Sequence, residues 1–126
     1  MKGQKNGTKG RDLKERTFDF AVAVIRFLKK IRLSKENDII RYQLAKAATS
    51  IGANYEEAEG AFSKDDFKYK ISICFRESKE SNYWLRIIEA VEITEGKELE
   101  RLLQESFELK SIFASISKKV HFRKDV

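Results

Sequence analysis

The chain has 126 residues, of which 41% are hydrophobic and 37% are charged. This length provides one hydrophobic core and excludes two domains of ordinary size. Proline is absent where an average composition would place about six, which favours long uninterrupted helices over a fold built on tight proline turns. We therefore predict an all-α protein.

Cysteine content and hydropathy argue against a secreted, disulfide-bonded protein and against a membrane-spanning protein. The single cysteine, Cys74, cannot form an internal disulfide, and we find no N-terminal pattern of a secretory signal. The longest purely apolar run, residues 20–25, is far shorter than the roughly 20 residues that span a bilayer. We expect a cytoplasmic protein that does not enter the membrane.

The net charge is +6, and the excess of basic residues lies at the two ends of the chain. Residues 1–11 carry +4 and residues 118–126 carry +3, whereas the residues between them carry −1. Basic segments of this kind favour phosphate contacts that are independent of base sequence and sensitive to salt. Short basic tails also occur solely as solubilising segments, which is the alternative. The basic residues expected to contact phosphate groups are Lys9, Arg11, Lys29, Lys30, Lys118, Lys119, Arg123 and Lys124.

The two ends of the chain differ in composition from its body. Residues 1–11 contain three glycines and no apolar residue after Met1, so we predict a disordered basic tail there. Residues 12–120 carry the apolar repeats of one folded domain, and residues 121–126 form a second basic tail.

The first predicted helix, at about residues 12–32, is too apolar for a helix on the outside of a bundle. Only Asp19 and Arg26 interrupt its central apolar stretch, and their spacing of seven residues places both on one side. Such a helix needs cover on two sides, which three neighbouring helices of one chain cannot provide. We therefore predict an oligomer. The interface residues predicted on this helix are Phe18, Val22 and Ile25.

Three further helices follow from apolar residues spaced three and four apart, at about residues 36–59, 65–94 and 97–120. Gly52 lies inside the second of them, where glycine costs about 1 kcal/mol relative to alanine. We expect that close contact with another helix compensates for this cost. Four helices joined by short links predict an antiparallel up-and-down four-helix bundle.

Two carboxylates, Glu77 and Glu80, lie on a stripe of the third helix that is otherwise apolar. Bundles that hold two metal ions need inward histidines, and the single histidine, His121, lies in the basic tail. We predict no metal and no other cofactor. Instead, Glu77, Glu80 and Asn54 are predicted to be buried structural residues, since buried charges are normally paired. The partners expected for the two carboxylates on the second helix are Lys46, Thr49 and Ser50.

No nucleophile or phosphate-binding loop is apparent. Cys74 lies on the inner seam of the third helix without a histidine in reach, so we interpret it as a core residue. No serine lies in a Gly-x-Ser-x-Gly turn. The sequence therefore predicts a protein that is not an enzyme. Tyr83 and Trp84 are adjacent, so one of them must point away from the bundle, and the pair is a second predicted subunit contact.

Two longer motifs resemble a known family. Residues 43–58 read QLAKAATSIGANYEEA and are followed by Asp66-Phe67, and residues 77–86 read ESKESNYWLR. Both resemble the bacterial four-helix-bundle proteins that are encoded in intervening sequences of 23S ribosomal RNA genes. The resemblance spans about residues 12–120. The commoner family ending of the second helix, Asn-Ile-Ala-Glu-Gly, is replaced here by NYEEA.

The resemblance implies a small bundle that assembles as a ring, often a homopentamer, and that binds RNA or DNA without known enzymatic activity. Relatives include the accessory protein of diversity-generating retroelements, which works with a reverse transcriptase. We therefore expect a non-enzymatic, oligomeric scaffold that binds nucleic acid, with RNA as the expected ligand. The alternative is an accessory subunit that presents its surface to a protein partner, for example a reverse transcriptase, and has no nucleic-acid role of its own.

Overall fold

The computed structural model describes residues 12–123, and this part of the chain forms four helices. Consecutive helices pack against each other and the first also contacts the fourth, so the chain closes into an up-and-down bundle. This confirms the predicted all-α fold. None of the described helices is both long enough and apolar enough to cross a membrane. The helices are α1 (Leu13–Leu28), α2 (Lys35–Glu59), α3 (Lys64–Ala90) and α4 (Lys97–Arg123).

The first three helices each begin at a polar residue that caps the helix. The side chains of Asp12, Ser34 and Ser63 each accept a hydrogen bond from the backbone N–H three residues further on. Acidic residues follow in the first turn of all three helices, near the positive end of the helix dipole. The sequence therefore specifies these starting points locally.

α1 ends at Leu28, earlier than predicted, and a side chain of α2 binds carbonyl groups at this end and in the turn that follows. The N–H groups of Lys30 and Ile31 donate to carbonyls three residues earlier, which tightens the chain into a turn. Arg41 Nη1 donates to the carbonyl oxygens of Leu28 at 2.7 Å and Ile31 at 3.2 Å. The final carbonyls of a helix have no partner within it, so Arg41 satisfies them and stabilises the turn.

The link between α3 and α4 contains the two described residues with a positive φ, Glu92 at 58° and Gly96 at 122°. A left-handed residue cannot continue a right-handed helix. α3 therefore ends at Ala90, before its predicted end near residue 94.

The hydrophobic core receives side chains from all four helices. Phe113 of α4 is fully buried and contacts Tyr55 of α2 edge to face, with ring centroids 5.9 Å apart. Cys74 is also fully buried, and burial raises the pKa of its thiol to about 12. It therefore carries no thiolate at neutral pH and is a core residue, as predicted. Other large side chains in the core are Val24, Leu44, Ile51, Ile71, Leu85, Ile88 and Leu109.

α1 and α2 approach closely at Gly52. A Cβ atom built on this glycine would lie 3.2 Å from the Oγ1 atom of Thr17 and 3.4 Å from its backbone carbonyl carbon. Thr17 is fully buried, and its hydroxyl donates to the Lys14 carbonyl at 3.1 Å. Gly52 therefore provides the close helix contact that the sequence predicted for it.

α1 is joined to α4 by ion pairs near its two ends. The Arg16 guanidinium binds both carboxylate oxygens of Glu105, at 2.9 and 2.8 Å, and donates to Glu108 at 2.7 Å. Just beyond the other end of α1, Lys30 pairs with Glu98 at 2.9 Å. The first cluster is the stronger one, because the Arg16 side chain is only 11% exposed whereas that of Lys30 is 67% exposed.

Candidate functional site

Among the residues whose side chains the structure describes, four of the predicted basic residues occur, and they do not form one site. Lys29 and Lys30 follow α1 at one end of the bundle, whereas Lys118 and Lys119 lie near the end of α4 at the other end. Lys30 is in addition paired with Glu98. The side chains of the other four predicted residues lie outside the described part of the chain, namely Lys9, Arg11, Arg123 and Lys124.

A different set of basic residues lines an open groove between α3 and α4, which we call the basic groove. Its volume is about 630 Å³. Small side chains of α4, Ser111 and Ala114, leave room between the two helices. The groove contains a single acidic residue, Glu80. Its basic residues are Arg76, Lys79 and Arg86 of α3 and Lys110 of α4.

Aromatic rings hold three of these cationic groups at the groove. The face of an aromatic ring attracts a cation but does not neutralise its charge, so the cation can still bind an anion. Two of the rings are well exposed, with Tyr83 at 47% and Phe107 at 52%. The pairs, with the distance from the cationic group to the ring centroid, are Lys79 over Phe75 (5.0 Å), Arg86 over Tyr83 (5.7 Å) and Lys110 over Phe107 (5.0 Å).

Three of the four cationic side chains of the basic groove have no carboxylate partner among the described residues. Within residues 12–121, no acidic side chain comes within 4.0 Å of the cationic groups of Lys79, Arg86 or Lys110. Glu80 instead accepts a hydrogen bond from Trp84 Nε1 at 3.1 Å. Unpaired cations that share one groove attract phosphate groups, which makes this groove the strongest candidate for a functional site.

Arg86 is held in place by a chain of hydrogen bonds that begins in the core. Its Nε atom donates to Oδ1 of Asn82 at 3.0 Å, and Nδ2 of Asn82 donates to Oγ of Ser106 on α4 at 2.9 Å. Asn82 is 6% exposed and Ser106 is fully buried. This chain engages only Nε of the guanidinium, so it orients the group while leaving both terminal nitrogens for a ligand.

The basic groove is not apparent when charge is compared along the chain, and the sequence prediction missed it for that reason. On α3, Lys79 and Arg86 are interspersed with Glu77 and Glu80, so the segment is nearly neutral. Lys110 comes from another helix. The available signal was the spacing of residues 75, 79, 83 and 86, which places two rings and two bases on one helix face.

The predicted structural carboxylates are half-buried. Their ion pair and hydrogen bond lie on α3 itself, and Lys46 of α2, one of the predicted partners, acts on Glu77 through its charge. The Glu77 side chain is 15% exposed and lies 3.7 Å from Nη2 of Arg76. Burial and the neighbouring Glu80 raise its pKa, while Arg76 and Lys46 act in the opposite direction. The expectation of hydroxyl partners on α2 is wrong for Thr49, because its hydroxyl donates to backbone carbonyls of its own helix.

Asn54 is half-buried, and its Nδ2 donates to the Ser50 carbonyl at 2.9 Å. This bond stays within α2, so Asn54 does not link two helices. No group of three or more histidine, cysteine, aspartate or glutamate side chains that could hold a metal ion occurs within the part of the chain that the structure describes.

The predicted interface residues of α1 share one apolar groove with α2, which we call the apolar groove. Phe18 is 60% exposed and Ile25 is 38% exposed, and Val22 lies half-buried between them. Because the helices pack in chain order around the bundle, this groove and the basic groove lie on opposite sides. Tyr83 lines the basic groove, so Tyr83 and Trp84 form no continuous surface with Phe18.

Comparisons with known proteins agree with the two sequence motifs. A family model described as 23S rRNA-intervening sequence protein matches residues 11–115. The chain is also similar to a crystal structure of a protein with unknown function from the S23 ribosomal protein family of Bacteroides thetaiotaomicron VPI-5482. The identity is 31%, the TM-score is 0.77, and the match covers 85% of this chain and 99% of the other. A search among curated proteins found no match. Since the family model covers most of the chain, the protein belongs to the 23S rRNA-intervening sequence protein family.

Proposed function

We propose that the protein is a non-enzymatic scaffold that binds RNA, and that the basic groove is its principal contact surface. The observation that carries the proposal is the set of three cations, Lys79, Arg86 and Lys110, which share one groove without a carboxylate partner among the described residues. Phosphate groups would supply the missing negative charge. The description of the family, which refers to 23S rRNA, supports RNA as the ligand.

A basic residue near the C-terminus fits the same proposal as an extension of the basic groove. Lys118 is exposed on α4 and lies about 12 Å along the helix from Lys110. An RNA strand that leaves the groove along α4 would therefore meet Lys118, whereas Lys119 lines a different pocket together with Ala61 and Lys64. Base identity would not matter for such contacts, because phosphate groups carry no sequence information.

A paired charge reversal tests the basic groove. We expect Lys79→Glu combined with Lys110→Glu to weaken RNA binding by about tenfold or more, because two attractions to phosphate groups become repulsive. Affinity should also depend less steeply on salt: the negative slope of log affinity against log salt concentration should decrease in magnitude by about 0.7 for each phosphate group that is no longer neutralised. The matched control is Lys14→Glu combined with Lys35→Glu, which makes the same charge change at exposed positions outside the groove. Fluorescence anisotropy over a salt series measures both quantities.

Three outcomes would contradict the proposal. Equal reductions of affinity in both double variants would show that only net charge matters. If removal of residues 118–126 abolishes binding while the groove variant binds normally, the basic tail and not the groove is the contact surface. If the native chain binds no RNA and instead retains a protein partner at high salt, the accessory-subunit alternative is correct.

We also infer that copies of the chain assemble through the apolar groove. Phe18 and Ile25 expose apolar area there, and a second copy would remove this area from water. The family resemblance adds the expectation of five copies. The two grooves lie on opposite sides of the bundle, so a neighbour bound at the apolar groove does not itself cover the basic groove. A ring also needs a second contact surface on each copy. Where that surface leaves the basic grooves open, the linked grooves would bind one RNA with raised effective concentration.

Light scattering with and without RNA tests the assembly. We expect Phe18→Glu to give particles of the monomer mass, 14.7 kDa, because the variant places a charge in the buried contact. The control is Phe62→Glu, which changes a phenylalanine that is 99% exposed outside the apolar groove and should keep the native mass. A native chain that stays monomeric at micromolar concentration would contradict the inference.

A further inference from the structure

We propose that the basic groove binds a single RNA strand with exposed bases and does not bind paired RNA. This inference rests on the RNA-binding function proposed above and specifies the class of RNA. It follows from three features of the groove, which are its length, its exposed aromatic rings and the anchoring of Arg86.

The basic groove is short. From residue 75 to residue 86 it extends about 16 Å along α3. The double-stranded RNA-binding domain, by comparison, spans about 16 base pairs and contacts two successive minor grooves. The basic groove is too short to make both of these contacts. It can accommodate a few nucleotides of one strand, between helices that pack about 10 Å apart.

Exposed rings at the basic groove provide surfaces for bases. Tyr83 is 47% exposed within the groove. Phe107 does not line the groove, but it is 52% exposed beneath Lys110, which does. The Tyr83 ring is supported by Trp84, with ring centroids 5.2 Å apart in an edge-to-face contact. Bases of a single strand can stack on such rings, whereas bases inside a duplex are already stacked on each other.

The anchoring of Arg86 places a flat cation beside the Tyr83 ring. Asn82 is only 6% exposed and accepts a hydrogen bond from Nε of Arg86, and the guanidinium lies 5.7 Å from the ring centroid. A guanidinium plane can stack on a base and bind a phosphate group at its edge. Lys79 and Lys110 supply charge for neighbouring phosphates. A stacking surface combined with cations in one groove is the arrangement by which proteins bind single strands without sequence preference.

The experiment compares two RNA probes on the full chain. One is a labelled oligouridine of about 12 nucleotides, within the range of single-strand site sizes, and the other is a blunt-ended, fully paired RNA duplex with the same number of phosphates. We expect the single strand to bind at least tenfold more tightly. Tyr83→Ser should weaken single-strand binding about tenfold, because it removes one stacking surface, and should leave the salt dependence unchanged, because every cation of the groove is kept.

Two further variants complete the test. Tyr69→Ser changes a tyrosine of α3 that is 61% exposed and lies outside the basic groove, so its binding should equal that of the native chain. Tyr83→Phe keeps the ring and should bind as the native chain does. Equal affinity for both probes, or unchanged binding by Tyr83→Ser, would overturn the single-strand proposal while RNA binding itself stands. Binding of neither probe would overturn the proposed function as well.

Discussion

Replacing Arg16 by leucine is expected to lower the free energy of unfolding by about 2 kcal/mol and the melting temperature by roughly 8 °C. The Arg16 side chain is only 11% exposed, and it forms the two-pronged contact with Glu105 together with the bond to Glu108. Its removal leaves the Glu105 carboxylate, which is 27% exposed, without its cation. Thermal unfolding followed by circular dichroism measures the change.

The control is Lys30→Leu at the other ion pair between α1 and α4. Both side chains of that pair are well exposed, at 67% and 42%, so the change should cost less than about 0.5 kcal/mol. Equal destabilisation of the two variants would contradict the importance of the Arg16 cluster.

The stability difference caused by Arg16→Leu should depend on pH. The Gln104 amide, followed by the Arg16 guanidinium, lowers the pKa of Glu108 below its ordinary value of 4.5. A carboxylate whose pKa is lower in the folded than in the unfolded state stabilises the fold at pH values above its unfolded-state pKa. This stabilisation is lost as the pH falls through its folded-state pKa. The difference in the free energy of unfolding between the native chain and Arg16→Leu should therefore become smaller below about pH 4.5. A difference that stays constant in acid would contradict this assignment.

Gly52→Leu is expected to destabilise the bundle by about 2 kcal/mol, since overpacking of a close contact costs more than the helix regains when it loses a glycine. A Cβ atom at residue 52 already meets Thr17 at 3.2 Å, and one of the atoms it meets belongs to the backbone of α1. The added side chain would push α1 away from α2. Urea unfolding at fixed protein concentration measures the change.

An exposed position of α2 outside the apolar groove provides the control for Gly52→Leu. Tyr42 is 63% exposed, so Tyr42→Leu should change the stability by less than about 0.5 kcal/mol. Native or higher stability of Gly52→Leu would show that α1 and α2 can separate at this point without cost.

The existence and order of the four helices could be predicted because they depend on local signals. Apolar spacing identified each helix, and Ser34 and Ser63 cap their helices in the way that their side chains favour. Gly52 was identified because a glycine inside a helix requires an explanation. The contact of Arg41 at the end of α1 could not be predicted from local signals, because Arg41 lies on another helix.

The basic groove depends on tertiary structure in the same way. Lys79 and Lys110 are 31 residues apart in the sequence, and only the antiparallel packing of α3 against α4 brings them to one groove. The Arg16 cluster joins residues that are 89 and 92 positions apart. A single sequence contains no signal for such pairs, so charge balance along the chain predicted the basic ends and overlooked the groove.

Because α1 packs only weakly against α4, we expect the bundle to unfold locally at α1 first. α1 is the shortest helix, with 16 residues, and its contact with α4 is the least extensive between neighbouring helices. Since elements with fewer contacts open first, its amide hydrogens should exchange with solvent before those at the centres of α2, α3 and α4. Detachment of α1 would uncover Phe20 and Val24 and give a transient three-helix species, which would be more exposed to proteolysis and aggregation than the native bundle.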